Sequence, residues 1–398
     1  MTPSEKIVAD LSRSSFLSFW SFPNPRGKKN KELCDILVVC EPDIIIFSVK
    51  DISVKRSGNY NVDYDRWKRH AIDESIGQIY GAERIIRLRD EIFLNDGKTV
   101  MQLPEKEIRK IYRVAVAFGG TEEYPIITIP ESQEKFVHIF DQRSINLVLK
   151  ELDTVTDFIN YLDAKEKHFT SSSKMIVTSE EDYLAFYLSN GLHIEEENDF
   201  FILSDIWEQY SKSEAYLEYK SHIRNSYFWD EIIEMFYRDF TNGNLIKDIS
   251  RKDMEIAIRQ MNKESRYDRA ALSKSFSDII VNTNGSKNIA ARFVKTYTSS
   301  KSTGYVFLAR SHSDRDSRIK ELGLRCFVAR SLYEELKTII GIARNRYVEG
   351  EGTAFDLHYF HIDDWTEELQ SQADVIRNEL GYFKNPEFKL MKPTGNVR

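Results

Sequence analysis

Asp35, Ser48 and Lys50 are the residues of this chain whose types and spacing could do chemistry. Asp35 lies in a short apolar run, Leu33–Cys40; Glu41-Pro42-Asp43 follows, and a second apolar run, Ile44–Val49, carries Ser48 and leads into Lys50. Two such runs around a short polar break read as a β-hairpin. Side chains alternate faces along a strand, so Ser48 and Lys50 share one face, as do Asp35 and Leu37. A turn of two residues (Pro42-Asp43), or of four from Glu41 to Ile44, sets Asp35 opposite Lys50 and Leu37 opposite Ser48; an odd turn breaks that pairing. A carboxylate and an ammonium meeting at the end of a buried hairpin suit a divalent cation and a phosphate. Asp35 would ligate Mg²⁺ through oxygen, and Lys50 would orient a water nucleophile and offset charge on a phosphorane. An ordinary cross-strand ion pair would use the same two residues.

A second chemical signal is basic. The net charge is -7, yet over the first 120 residues bases slightly outnumber acids, and the acidic surplus lies in the remainder. Arg26, Lys28, Lys29 and Lys31 fall in one loop, and Lys55, Arg56, Arg66, Lys68 and Arg69 follow the hairpin. Local rather than total charge sets the field at a surface, so this patch is a candidate contact for phosphates. A solvated loop and helix face is the simpler reading of the same charges.

These residues need elements to hold them. Apolar spacing predicts a helix over 4–19, with Thr2 or Ser4 as its cap, then a loop over 21–30 punctuated by Pro23, Pro25 and Gly27, then the hairpin. A long helix over 65–90 follows, with Ala71, Ile72, Ser75, Ile79, Ala82 and Ile86 on one stripe and Glu74 and Gln78 on its border. A strand at 113–118 closes on Gly119-Gly120, and 124–129 reads as another. From 144 the pattern is helical, over 145–161, 180–189, 207–240 and 250–280. Strands at 292–297, 304–309, 338–343 and 355–362 alternate with helices at 316–336 and 365–380.

Composition bounds the class. The 398 residues, 41% hydrophobic and 12% aromatic, suit a globular chain of two or three domains, and the mean hydropathy of -0.46 suits a soluble one. Three separated cysteines, Cys34, Cys40 and Cys326, make no disulfide framework or cysteine-rich zinc site, which points to a reducing cytosol. The first twenty residues lack the basic-then-apolar order of a signal peptide, and no apolar run reaches the ~18 residues a bilayer needs. His358 and His361 face opposite sides of a strand, the paired glycines match no phosphate loop, and Tyr227, Phe228, Trp229 and Phe236 at helical spacing read as core.

The order helix, two-stranded hairpin, helix, strand over roughly the first third of the chain, with Asp35 on the hairpin's first strand and Ser48-Val49-Lys50 closing its second, resembles the PD-(D/E)XK, or restriction-endonuclease-like, nuclease superfamily, whose core order is helix, strand, strand, strand, helix, strand. The resemblance matches Asp35 to that family's first acid and Lys50 to its lysine. Ser48 stands where the second acid is expected, and a hydroxyl is a poor metal ligand. Some members with Ser-x-Lys supply the missing carboxylate from the following helix, which implies Glu74, with Gln78 as its polar neighbour. Glu32 is the other candidate acid, and Glu5 in the first helix corresponds to an acid that some members place there.

The resulting expectation is an α/β (α+β) protein with an αβββαβ core over 1–130, a mostly helical region over 131–285 and a small α/β region over 286–398. Its expected activity is Mg²⁺-dependent (or Mn²⁺-dependent) phosphodiester hydrolysis, with Asp35, Glu74 and Glu32 on the metal, Lys50 positioning the water and Ser48 hydrogen-bonding it. Nucleic acid, DNA ahead of RNA, would lie on Arg26, Lys28, Lys29, Lys31, Arg56, Arg66 and Arg69, in a cytoplasmic protein with a role in restriction, phage defence or repair. No membrane partner is expected; a protein partner would meet the acidic C-terminal region. The competing expectation is an inactive nuclease fold that serves as a binding platform.

Overall fold

The computed structural model describes residues 1–120, 136–170, 174–177, 179–192, 200–244, 249–285, 289–296, 302–310, 314–345 and 353–384. The chain divides into two compact units, Met1–Glu218 and Tyr219–Thr394. Both mix helices and strands, in line with the α/β expectation. The division does not fall at 130 and 285: a strand beyond residue 130 joins the first unit's sheet, and helices before 285 pack on the second unit's sheet.

The first unit begins with α1 (Pro3–Phe16), whose start is fixed by a reciprocal cap. The Glu5 backbone N–H donates to Thr2 Oγ1 at 3.3 Å, and the Thr2 N–H donates to Glu5 Oε2 at 2.8 Å. A short strand β1 (Ser21–Pro23) lies in the segment read as loop, followed by β2 (Ile36–Cys40) and β3 (Asp43–Asp51). Helix α2 (Tyr60–Lys68) starts five residues earlier than expected because the Asn59 side chain accepts from the Val62 N–H and caps it. It passes through one π-helical turn, Arg69–Asp73, into α3 (Glu74–Leu88). A small hairpin of β4 (Glu91–Phe93) and β5 (Val100–Gln102) precedes β6 (Lys110–Phe118) and β7 (His138–Asp141). The strand expected at 124–129 lies outside the described residues.

These strands form a sheet in the order β1-β2-β3-β6-β7. The β1–β2 and β2–β3 pairs are antiparallel, whereas β3–β6 and β6–β7 are parallel, the first of them crossed by α2 and α3. The order α-β-β-β-α-β is therefore present through β6, with the β4–β5 hairpin inserted. Both faces are covered, which is why the strands read as continuous apolar runs rather than alternating ones. Leu37, Val39, Ile44 and Ile46 pack with Ile79, Ala82 and Ile86 of α3. On the other face Phe158 meets Phe16, Phe47 and Phe140 with ring centroids at 5.3, 6.3 and 6.5 Å. The guanidinium of Arg113 on β6 clamps α3 through the Glu83 carboxylate, with bonds of 2.5 and 2.6 Å.

The remainder of this unit holds α4 (Gln142–Glu151), α5 (Val155–Thr170), β8 (Lys174–Val177), α6 (Glu180–Ser189), β9 (Phe200–Leu203), α7 (Ile206–Tyr210) and α8 (Glu214–Ile223), which runs across the boundary. The helix expected over 145–161 is two helices, broken where Thr154 Oγ1 takes the Asp157 N–H and restarts the chain as α5. Strands β8 and β9 pair in parallel, an element with no clear mark in the sequence.

The second unit contains α9 (Tyr227–Thr241), α10 (Arg251–Asn262), α11 (Arg266–Gly285), β10 (Ile289–Lys295), β11 (Thr303–Arg310), α12 (Arg315–Arg330), β12 (Thr338–Asn345), β13 (Phe355–His361) and α13 (Glu367–Leu380). Its sheet runs β10-β11-β12-β13, with the middle pair parallel across α12 and the outer pairs antiparallel. Tyr305 and Phe307 turn to one face, where Trp229 meets them edge-on at 5.3 and 6.0 Å and Phe276 stacks on Phe307 at 4.8 Å. Val306 and Leu308 turn to the other and pack with Leu322 and Cys326 of α12. Trp229 and Phe236 are core, as their spacing implies, but Tyr227 is exposed. His361 bonds Thr338 Oγ1 at 2.8 Å and Asp363 at 3.2 Å, a role within the strand edge.

Two settings of glycine in the first unit carry opposite expectations for a substitution. Gly119 closes β6 at φ +78°, and a Cβ there would lie 2.5 Å from the Ile52 carbonyl oxygen. Gly77 and Gly81 sit inside α3 with no atom within 4 Å of a Cβ. Gly119→Ala should therefore destabilise the protein by about 2 kcal/mol or more through backbone strain and clash. Gly77→Ala and Gly81→Ala should each stabilise it by roughly 0.5–1 kcal/mol. Urea unfolding midpoints of the three variants against wild type check both signs.

Candidate functional site

The hairpin turn consists of Glu41 and Pro42, so Cys40 pairs with Asp43 and Ile36 with Phe47. This shifts the expected register by two: Leu37 faces Ile46, not Ser48, and the same register carried one step further sets Asp35 level with Ser48 rather than Lys50. The reason lies in β6, whose Lys110 pairs with Asp43 and draws that residue out of the turn into the ladder. A shift of two keeps the faces, so Asp35, Ser48 and Lys50 still belong to one side and one end of the sheet. That end is the carboxyl end of the parallel strands β3 and β6, where open α/β sheets gather functional groups.

Strand β2 starts only at Ile36, one residue beyond Asp35, and the Asp35 carboxylate takes over the ladder there. Its Oδ2 accepts the Val49 N–H at 2.6 Å, while its backbone carbonyl accepts the Asn24 N–H at 2.9 Å. The residue is only 8% exposed. Burial, with the fields of Glu5 and Glu32, pushes its carboxyl up to about 6, although the Val49 bond and the Lys50 charge pull the other way. Carboxylates from α1 and from the loop before β2 therefore both act on the Asp35 carboxyl at this sheet end.

The neighbouring side chains are distributed as follows. Ser48 is buried, and its hydroxyl donates to Gln78 Oε1 on α3 at 3.1 Å. Lys50 is half-buried and lies level with Ala117 of β6. Glu5 is half-buried and engaged in the cap of α1; Glu32 is exposed. Ser4 Oγ donates to Asp51 at 2.5 Å, bringing a further acid next to α1 that sequence reasoning missed. The Thr2-x-x-Glu5 spacing was the signal that could have fixed this helix start, and with it Ser4 and Glu5, beside the end of β3.

Glu74 does not join them. Its carboxylate is exposed and bonds His70 Nδ1 at 2.7 Å one turn back along the helix, so the border position that α3 aims at the sheet end is taken by Gln78. The expected relocation of the missing acid to Glu74 is corrected accordingly. Among the described residues, no three His, Cys, Asp or Glu side chains are grouped as a metal-binding set.

The basic residues fall in two separate segments, the loop before β2 and the chain from the end of β3 into α2. Arg26 is half-buried and donates to Asn95 Oδ1 at 3.2 Å, with its backbone bonded to Phe93. Lys29 and Lys31 are exposed; the Lys28 side chain lies outside the described residues. Arg56 follows β3, and Arg66 and Arg69 are exposed on the helix that leads into α3. No helix among the described residues is long and apolar enough to cross a membrane. No known protein family matches the chain, and neither a curated protein nor a solved structure matches it.

Because folding raises the carboxyl of Asp35 to about 6 from its ordinary 3.8, its protonated form is favoured in the folded state. Its contribution to stability is full below the unfolded value and is lost as pH rises through about 6. Asp35→Asn keeps an acceptor for Val49 and removes the charge, so at pH 7.5 it should be more stable than wild type by about 1–3 kcal/mol. That gain should shrink to near zero at pH 4. Asp35→Ala leaves the Val49 N–H without its acceptor and should cost about 1–3 kcal/mol at low pH. Denaturant midpoints of the three proteins at the two pH values test the assignment.

Proposed function

We propose that the first unit is a metal-dependent nuclease that hydrolyses phosphodiester bonds, with DNA the favoured substrate. The observation that carries this reading is the buried Asp35 carboxylate beside Lys50, pushed up to about 6 by burial and by two further acids at the carboxyl end of the parallel strands. A buried carboxylate that feels two further acids is relieved by a cation, and site chemistry is where such shifts concentrate. Mg²⁺ takes hard oxygen donors, needs only one or two carboxylates, and completes its shell with water and substrate phosphate. A three-acid cage is therefore unnecessary, and the donors present fit. Asp35 with Glu5 or Glu32 would hold the ion, and Ser48 and Gln78 would add neutral oxygens to the pocket wall. The metal would supply charge to offset the developing phosphorane and lower the pKa of a water.

The chain's own residues have separate tasks in this reading. Lys50, anchored in β3 next to β6, orients the attacking water and balances charge on the scissile phosphate. Gln78 holds the Ser48 hydroxyl and so keeps α3 fixed against the strand that bears Lys50. Lys29, Lys31, Arg66 and Arg69 present exposed cations that would bind backbone phosphates and position the strand without reading its sequence. The αβββαβ element order and the parallel β3–β6 pair add to the resemblance drawn from the sequence. A role in restriction, phage defence or repair belongs to the same proposal. A non-catalytic platform is the second reading, favoured by the Ser48–Gln78 bond and by the Asp35 oxygen already bonded to Val49.

Cleavage of plasmid, single-stranded DNA and RNA with Mg²⁺ or Mn²⁺ decides between the two. Wild type should cut at least one substrate, with a rate that rises through about pH 6 as Asp35 loses its proton. Lys50→Ala and Asp35→Asn should lower it by 10²-fold or more, whereas Glu74→Gln should leave it within about twofold. Binding without cutting on every substrate would establish the platform; a rate unchanged by Lys50→Ala would remove the site. Arg66→Ala and Arg69→Ala should each reduce the slope of log affinity against log salt by about one.

A further inference from the structure

The second unit carries a cleft of about 520 Å³ between the segment that leads into α9 and the exposed side of α11. Its walls include Arg224, Tyr227, Phe228 and Glu231 on one side and Lys274 and Asp278 on the other, over a floor of small side chains, Ala270 and Ala271. The walls are held from behind. Arg266 lies over the Tyr227 ring at 4.5 Å and is itself fixed by Asp230 at 2.7 Å; Phe228 stacks on Phe276 at 6.1 Å. His222, also at the rim, stacks on Tyr267 at 5.5 Å.

Charge on the lining is unevenly used. Asp278 is paired with Arg292 at 3.2 Å. Arg224, Lys274 and the lining acid Glu231 are exposed, and none of the three has an ion-pair partner among the described residues, which leaves two cations against one acid. Two unspent cations on opposite walls of a cleft whose aromatic side chains are already immobilised suit a ligand with a flat ring and an anionic group. An organised aromatic wall costs little further ordering on binding, and a guanidinium paired across from an ammonium matches phosphate oxygens. The volume accommodates one nucleotide, within the range of small-ligand clefts.

We propose that this cleft binds a nucleotide, with the phosphate on Arg224 and Lys274 and the base against Tyr227 and Phe228. The same chemistry is offered by a free nucleotide and by a nucleotide unit of a single strand. The site is independent of the nuclease reading, since none of its residues belongs to the Asp35 region.

Isothermal titration of the full chain with ATP, with inorganic phosphate and with a single-stranded oligonucleotide tests it. ATP should bind more tightly than phosphate by about tenfold or more, and Arg224→Ala and Lys274→Ala should each weaken ATP binding about tenfold. Ala271→Trp, which fills the floor and keeps both cations, should abolish it. Tighter binding of the oligonucleotide than of ATP, lost in the same three variants, would make the source a strand rather than a free nucleotide. No binding of any probe, phosphate as tight as ATP, or binding indifferent to all three variants would overturn the proposal.

Discussion

The bond from the Val49 N–H to the Asp35 carboxylate is the interaction on which the first unit's candidate site depends. Strand β2 begins too late to satisfy that N–H with its backbone, and a buried amide left unpaired would be costly. The carboxylate fills the gap, and in doing so is held inside the protein next to Glu5, Glu32 and Lys50. A group so placed is destabilised as an anion at neutral pH, which the rest of the fold must offset. The cost follows from satisfying a buried amide with a carboxylate rather than with a backbone carbonyl, since the carboxylate brings a charge that burial disfavours.

What offsets it is burial on both faces of the sheet. The α3 stripe covers one face and the phenylalanine cluster around Phe158 covers the other, so β3 and β6 have little freedom to shift along one another. The Arg113–Glu83 clamp adds direction to the packing of α3, because two parallel bonds fix a plane where apolar contacts fix only a distance. Through that helix Gln78 arrives at Ser48. The polar contact at the sheet end is thus a consequence of packing two turns away.

The second unit uses charge in a similar way. Asp356 on β13 is fully buried and accepts from Arg315 and Arg318 of α12, at 2.7 and 2.5 Å. Asp230 on α9 binds Arg266 and Arg269 of α11. Each aspartate meets two guanidinium groups, so neither is buried without compensation, and each pair ties a helix to one neighbour in one register. The cleft beside α11 is shaped by these bonds, since Arg266 both answers Asp230 and backs the wall residue Tyr227.

The sequence by itself determined which segments are apolar enough to be strands and helices, that the two classes alternate, and that Asp35, Ser48 and Lys50 lie on one face of one hairpin. Those features rest on local periodicity, which neighbouring residues carry in full. Tertiary structure alone decided the register, because whether Asp43 belongs to the turn or to the ladder depends on β6, more than sixty residues away. It also decided that Glu74 turns to His70 while Gln78 reaches Ser48, a choice between two adjacent border positions that a helical stripe leaves open. The two-unit division was hidden for the same reason: β7 and α11 are assigned by the sheets they pack against, and those partners are distant in the chain.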